Sequence, residues 1–405
     1  MAIISCPECG KEISSAAEKC PYCGKPMKSL KKKSRWLLLV IVVCLIVGVS
    51  VVFLPHVQYE IGNLYASGTV VSQNDTKAVE WYQRAAAGGL VDAQYNLGWM
   101  YENGRGIFQD YQQAVAWYQK AAGQGHMGAQ ESLPAAYYHL GLMYFEGNGV
   151  IKNYEKAAEW YQKAADQGNA NAQCSLGWMY ANGCGVPNDQ EKAAEWYQRA
   201  AMQGNTDAQC NIGMMYATGR GVPEDQEKAA EWLQKAAEQG YEEALAWLEA
   251  IAKNYWVRSY AQISLGLMYY NGRGVPKDYE KARKWLENNA YMGNPEVNYA
   301  LGMMYENGQG GDKDLKGAAR NFYWAARQGH KEALERLQAI AEQGYADAPY
   351  DLGWMYYNGE GVPQDDTKAA EWFQKAAEQG NAHAQFNLGV MYANGKVFPR
   401  TIQKP

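Results

Sequence analysis

From Val57 onward, apolar side chains return at spacings of three and four, as in Ala93, Leu97, Met100 and Tyr101, which places them on one face of a helix. The segment that carries them, Ala93-Gln-Tyr-Asn-Leu-Gly-Trp-Met-Tyr-Glu-Asn-Gly, comes back at Ala172-Gln-Cys-Ser-Leu-Gly-Trp-Met-Tyr-Ala-Asn-Gly. It occurs nine times, marked by Gly62, Gly98, Gly141, Gly177, Gly213, Gly266, Gly302, Gly353 and Gly389, in steps of 36, 43, 36, 36, 53, 36, 51 and 36. A second helical segment follows each of the first eight, as in Asp189-Gln-Glu-Lys-Ala-Ala-Glu-Trp-Tyr-Gln-Arg-Ala-Ala-Met-Gln-Gly204. Glycine inside a helix costs roughly 1 kcal/mol relative to alanine, so its return at every step implies that another backbone passes close by. The second helix is that partner. Its Ala193, Ala200 and Ala201 offer a narrow surface, and Trp196 and Tyr197 fill the gaps toward neighbouring copies. Gly183 and Gly185 can take the positive φ that stops the first helix, and Asp189 can accept from the orphan N–H groups that start the second. The unit is a helical hairpin whose apolar face only stacking can cover, so the fold class is all-α.

Three steps depart from the regular 36. The step of 43 adds seven residues around Glu131–Ala135, and those of 53 and 51 add seventeen and fifteen around Ala244–Ser259 and Leu334–Ala346. The two longer insertions read as short extra helices that change the curvature locally. Asn321 stands where other copies have Trp, with Trp324 three positions later. The ninth copy is followed only by Lys396-Val-Phe-Pro-Arg-Thr-Ile-Gln-Lys-Pro405, so its stacking face is covered by this tail, shared with a partner, or left by truncation.

With their Gly-x-Gly-Val-Pro loops and Lys-Ala-Ala-Glu-Trp-Tyr-Gln-Lys-Ala-Ala tracts, residues 57–395 closely resemble the Sel1-like repeat family, relatives of the tetratricopeptide repeats. The resemblance implies a right-handed α-solenoid with a concave surface, here of nine first helices and eight second helices. It also implies a role as a scaffold for protein complexes, with no general catalytic activity. Composition follows the repeat: 31 Tyr and 14 Trp against 7 Phe, with 42 Gly, are a few columns copied many times.

The amino-terminal end is different. Cys6-Pro-Glu-Cys9-Gly and Cys20-Pro-Tyr-Cys23-Gly are two C-x-x-C knuckles ten residues apart, the spacing for one tetrahedral metal, and four thiolates favour structural zinc over the alternative of two disulfides. Residues 1–27 resemble the short zinc ribbons at the head of many bacterial membrane proteins. A basic linker, 28–35, leads to Trp36–Leu54, nineteen residues without a charge, which as a helix of about 1.5 Å per residue nearly matches a hydrocarbon core of about 30 Å. Lys28, Lys31, Lys32, Lys33 and Arg35 crowd its near side, whereas the next basic residue beyond it is Lys77. The expectation is therefore a single-pass inner-membrane protein with a cytoplasmic amino terminus, lipid headgroups beside the lysines and a periplasmic or extracytoplasmic solenoid. Three unpaired thiols, Cys174, Cys184 and Cys210, sit awkwardly in an oxidising compartment and keep the inverted orientation open.

Charge narrows the functions. Residues 1–35 carry eight basic against three acidic residues, and the remainder thirty against forty, which excludes a uniformly basic nucleic-acid binder; no specific nucleic acid is expected. The tyrosine and methionine columns (Tyr101, Met100 and their equivalents) read as core, and the Gly-x-Gly loops as helix stops rather than phosphate cradles. No H-E-x-x-H or G-x-S-x-G occurs, and the five histidines have no ligand spacing, so no catalytic residue is assigned and no enzyme is expected. The position before each Leu-Gly supplies Asn96, His139, Ser175, Asn211, Ser264, Asp351 and Asn387, a small polar column that suits either a partner-binding groove or a solvated face. The leading expectation is a membrane-anchored scaffold of the bacterial cell envelope that binds protein partners through the solenoid. The alternatives are a hydrolase acting on cell-wall material or a β-lactam, by analogy with secreted relatives, and a zinc-ribbon nucleic-acid binder at the membrane.

Overall fold

The computed structural model describes residues 3–5, 12–14, 54–253, 258–290, 293–345 and 347–395. The chain forms two compact units, Met1–Ala200 and Ala201–Pro405. At the start of the first, Ile3–Ser5 pairs antiparallel with Glu12–Ser14, Ile4 opposite Ile13. All other elements among the described residues are helices, nineteen of them.

In the first unit the hairpins are regular. Val91–Asn103 packs on Tyr111–Gly123, and Ala170–Asn182 follows Tyr154–Asp166. Each second helix is started by a side-chain cap: Asp110 Oδ1 accepts from Gln113 N at 3.0 Å, and Asp189 Oδ1 from Lys192 N at 3.0 Å. Each first helix is stopped by a left-handed glycine, Gly104 at φ 63° and Gly183 at φ 69°. The seven added residues around Glu131–Ala135 make no loop. They lengthen one helix, Met127–Glu146, by about two turns of 3.6 residues, which keeps its apolar face in register despite Pro134.

The marker glycines are narrow for a reason that corrects the sequence reading. A Cβ on Gly98 would lie 2.8 Å from the Tyr118 ring, and one on Gly177 2.9 Å from the Tyr197 ring. Tyr197 therefore also fills the notch of its own hairpin. Trp196 does join the core that holds Tyr161 and Met179. In the second unit the same notch takes Leu233 against Gly213, Phe322 against Gly302 and Phe373 against Gly353. These filling side chains are essentially inaccessible to solvent.

The second unit also contains the extra helices Glu242–Lys253 and Lys331–Glu342. Each adds one reversal of chain direction, and the loop glycines record it. A Cβ on Gly310 would meet Tyr279 O, at the start of the preceding second helix. On Gly274 and Gly361, the first such glycines after each extra helix, it would meet Ala237 O and Ala326 O, near the ends of Gln226–Glu238 and Leu315–Arg327. The hairpins after each insertion thus dock with opposite polarity.

Most helices here have 12 to 14 residues, about 20 Å at 1.5 Å per residue against the roughly 30 Å of a bilayer core. The longest, Met127–Glu146, carries Gln130, Glu131, His139 and Glu146. Among the described residues no helix is long and apolar enough to cross a membrane. This corrects the expected placement as a single-pass inner-membrane protein with the solenoid outside, and with it the lipid contact. Residues 36–53, which prompted that expectation, lie outside the described residues.

Candidate functional site

A row of buried glutamines ties one copy to the next. Gln173 Nε2 donates to Ala165 O at 3.1 Å, Gln209 Nε2 to Ala201 O at 3.2 Å and Gln262 Nε2 to Ala252 O at 2.9 Å. Gln124 Nε2 and Gln239 Nε2 in turn donate to Gln94 Oε1 and Gln209 Oε1, each at 2.8 Å. These side chains give carbonyls at the ends of the preceding helices a further donor; Ala165 O and Ala201 O also accept from Gly168 N and Gly204 N, each at 3.0 Å. Reading glutamine as a surface residue conceals this role; its place directly after the first apolar residue of the face, in six of the nine copies, is the signal that reveals it.

The small polar column turns toward the same seam. Asn96 Nδ2 donates to the Tyr59 hydroxyl at 3.3 Å and also reaches the buried Tyr82 hydroxyl. Ser175 bonds the Tyr161 hydroxyl, and His139 stacks on Tyr111 with centroids 5.1 Å apart. Asn211 is half-buried. After the extra helices the register moves by one residue: Ser264 is buried and donates to Gln234 Oε1 at 2.6 Å, and Asp351 faces Tyr323. In the last copy Asn387 Nδ2 is buried without a hydrogen-bond partner among the described residues.

Asp351 has a measurable consequence. Burial, reinforced by Asp347 and opposed by Arg320 and Arg327, pushes its carboxyl from the ordinary 3.8 up to about 7. The folded state therefore prefers the protonated form. Its contribution is most favourable below about pH 4, is lost as pH rises through 7, and is flat above that. Asp351→Asn should raise stability at pH 8 by about 1–3 kcal/mol and flatten the melting temperature's dependence on pH between 4 and 7. A melting curve series across that range checks it.

Two kinds of tryptophan distinguish covered from open surface. On most second helices the Trp lies under the base three residues on: Lys120 Nζ is 4.0 Å from the Trp117 centroid, Lys163 3.9 Å from Trp160 and Lys375 4.0 Å from Trp372. On the first helices of the first unit, Trp99 and Trp178, directly after their marker glycines, are 36% and 39% exposed, with Arg105 Cζ 5.6 Å from the Trp99 centroid and Phe145 edge-on to Trp178 at 5.5 Å. Nearby loops add Phe108 and Ile151, 94% and 91% exposed, at the position occupied by Pro187 in the next copy. Single exposed apolar residues are ordinary; this unit gathers several over consecutive copies.

None of Cys174, Cys184 and Cys210 is in a disulfide. Cys210 is buried, and burial first, then Glu243 and Asp207, pushes its thiol up to about 12, consistent with a packing role. His126 and His330 cap helices, their Nδ1 atoms accepting from Ala129 N and Ala333 N, while stacking on Tyr95 and Tyr299. Among the described residues no cluster of His, Cys, Asp or Glu could hold a metal. Cys6, Cys9, Cys20 and Cys23 lie outside them.

The Sel1 repeat family model matches nine stretches, residues 55–90, 91–126, 134–169, 170–205, 206–241, 259–294, 295–330, 346–381 and 382–400. A zinc-ribbon domain model matches residues 2–27. Among solved structures, a protective antigen of uropathogenic Escherichia coli with an SLR fold is 33% identical, over 86% of this chain and 74% of that one, at a TM-score of 0.39. A Sel1 repeat protein from Oxalobacter formigenes is 34% identical over 83% and 86%, at 0.37. Cysteine-rich protein B of Helicobacter pylori is 28% identical over 34% and 94%, at 0.25. Curated protein sequences give no match. Sel1-repeat proteins are protein–protein interaction scaffolds. Nine matched copies spanning most of the sequence show that this chain belongs to the Sel1-repeat family.

Proposed function

We propose that this chain is a scaffold whose first unit holds a protein partner against Trp99, Phe108, Ile151 and Trp178. The observation that carries the reading is the exposure of these large apolar side chains on consecutive copies of the first unit. Aromatic anchors of this kind dominate interface energies. The polar column supports the seam between copies, so recognition rests on the outward apolar positions beside it, with Asn96 and Ser175 as secondary contacts. Two hollows of the second unit, one lined by Met202, Gln209, Trp232 and Lys235 and the other by Glu342, Lys375 and Glu378, are open to solvent. Replacing both Trp99 and Trp178 by Ala should weaken capture of a crosslinked partner about tenfold or more, with helical content unchanged. Capture that survives the double replacement contradicts this surface.

The amino-terminal module is proposed to hold one structural zinc through Cys6, Cys9, Cys20 and Cys23. Four thiolates in two tight knuckles are the donor set that zinc prefers, and a segment of 27 residues has too little apolar surface to fold by burial alone.

A further inference from the structure

The regular seams between copies are built alike. A branched aliphatic residue of the loop packs on small apolar residues of the preceding second helix: Ile107 on the core that holds Val79, and Val186 on the core that holds Ala158. In seven copies the loop residue is Val or Ile, and on seven second helices the helix residue is Val or Ala, buried each time. One seam of the second unit reverses both. Arg283, on the helix Tyr279–Glu287, stands at the Val79 position, and Gly311, in the loop after the helix Pro295–Asn307, at the Ile107 position. A Cβ on Gly311 would run into Arg283 Nη1. The guanidinium lies over the Tyr305 ring, Cζ 4.3 Å from the centroid. Its Nε donates to Glu287 Oε1 at 2.6 Å, and the Tyr305 hydroxyl donates to the same oxygen at 2.8 Å. Elsewhere the cation over this tyrosine belongs to its own hairpin, as with Lys77 over Tyr65 and Lys368 over Tyr356, each at 5.3 Å. Here Gly317 replaces that lysine, and the cation comes from the preceding copy.

We infer that Arg283 and Gly311 form a register key, a pair that lets this seam close with its own neighbour and with no other copy. The need for one is written in the repeats. Lys-Ala-Ala-Glu-Trp recurs unchanged from Lys156, Lys192, Lys228 and Lys368, so the second helices offer nearly interchangeable faces to a folding chain. A loop carrying Val or Ile cannot seat against Arg283, because its side chain would occupy the space of the guanidinium. The loop carrying Gly311, seated on an alanine helix, would leave a void and strip Tyr305 of its cation. Wrong pairings are thus penalised from both sides. The right one need not be stronger than an ordinary seam, since ion pairs held partly out of water fix register better than they stabilise. The key is independent of the Trp99 and Trp178 surface.

The test restores the common pattern in the full chain with Arg283→Ala, Gly311→Val and Gly317→Lys. The urea midpoint of this variant should equal or exceed the parent's. Both proteins are then unfolded in urea and refolded, and hydrogen exchange of segments 279–287 and 315–327 is followed by mass spectrometry. The parent should give one isotope envelope, matching protein that was never unfolded. The restored variant should give two, the second from chains docked out of register. A smaller set of changes checks the contact itself: Gly311→Val alone should lower the midpoint, and adding Arg283→Ala should recover it. A single native envelope from the restored variant overturns the proposal. So does a second envelope accompanied by a lower midpoint, since poor folding then suffices, or a failure of Arg283→Ala to recover Gly311→Val.

Discussion

Gly98→Ala is expected to destabilise the array by about 2 kcal/mol, and Gly389→Ala, the same replacement at the equivalent position, to stabilise it by up to about 1 kcal/mol. Alanine is the better helix former by about that latter amount, so the two positions start from the same intrinsic gain. At Gly98 the new methyl would lie 2.8 Å from the ring of Tyr118, which is fully buried and whose hydroxyl donates to Glu102 at 2.6 Å. The ring is held at both ends, so the backbones have to separate. At Gly389 the methyl meets nothing among the described residues. Urea unfolding of the two variants beside the parent checks the prediction. The midpoint should move in opposite directions, although a stacked array can unfold in parts and the shift is best compared at one probe. Equal shifts of the same sign would show that the glycines are present for a reason other than the notch.

The second large effect concerns the loops. Gly361→Ala is expected to cost about 3 kcal/mol or more, and Gly359→Ala only about 1–2 kcal/mol. Both glycines are left-handed, at φ 71° and 72°, so both replacements carry the strain of a side chain in that region. They differ in surroundings. A Cβ on Gly359 would be 3.3 Å from the Cβ of Gln364, which can give, but on Gly361 it would collide with the carbonyl of Ala326 in the preceding second helix. The collision is between two pieces of backbone, and relief requires the hairpin that begins at Asp347 to move off its neighbour. Thermal unfolding together with proteolysis in the loop after Asn358 reads both parts. A large loss of midpoint for Gly361→Ala, with new cleavage there, is the expected pattern; near-equal losses for the two variants would place the cost in the turn rather than in the docking of copies.

Much of this architecture was legible in the chain. The helical spacing of Ala93, Leu97 and Met100, the stop at Gly183 and the start at Asp189 are local features, and local features survive the absence of coordinates. The contacts that span a hairpin were harder. A glycine at every Leu-Gly step says that something comes close, but only the fold shows that it is the Tyr197 ring, twenty residues on, rather than an alanine face. Polarity misled in two places. The column from Asn96 to Asn387 suits either a partner-binding groove or a solvated face, yet Ser264 is buried and Asn96 bonds tyrosines, because a stack of helices needs hydrogen-bond partners for hydroxyls trapped between copies. The buried glutamines do the same for helix-end carbonyls. The Trp-x-x-Lys spacing of the second helices was visible, but its meaning as a covered ring required the geometry. The reversed docking after the extra helices follows from their odd number, one each, and was not drawn from the sequence, where a short insertion reads only as a change of curvature.

The exposed surface of the first unit carries the functional account, and site-specific photocrosslinking in living cells tests it most directly. A photoreactive phenylalanine is placed at Trp99, at Trp178 and, as a control on a second helix, at the exposed Glu159. The account predicts that the two tryptophan positions capture the same protein and that Glu159 does not. Capture of that protein equally well from Glu159, or no protein captured from either tryptophan position, would contradict it.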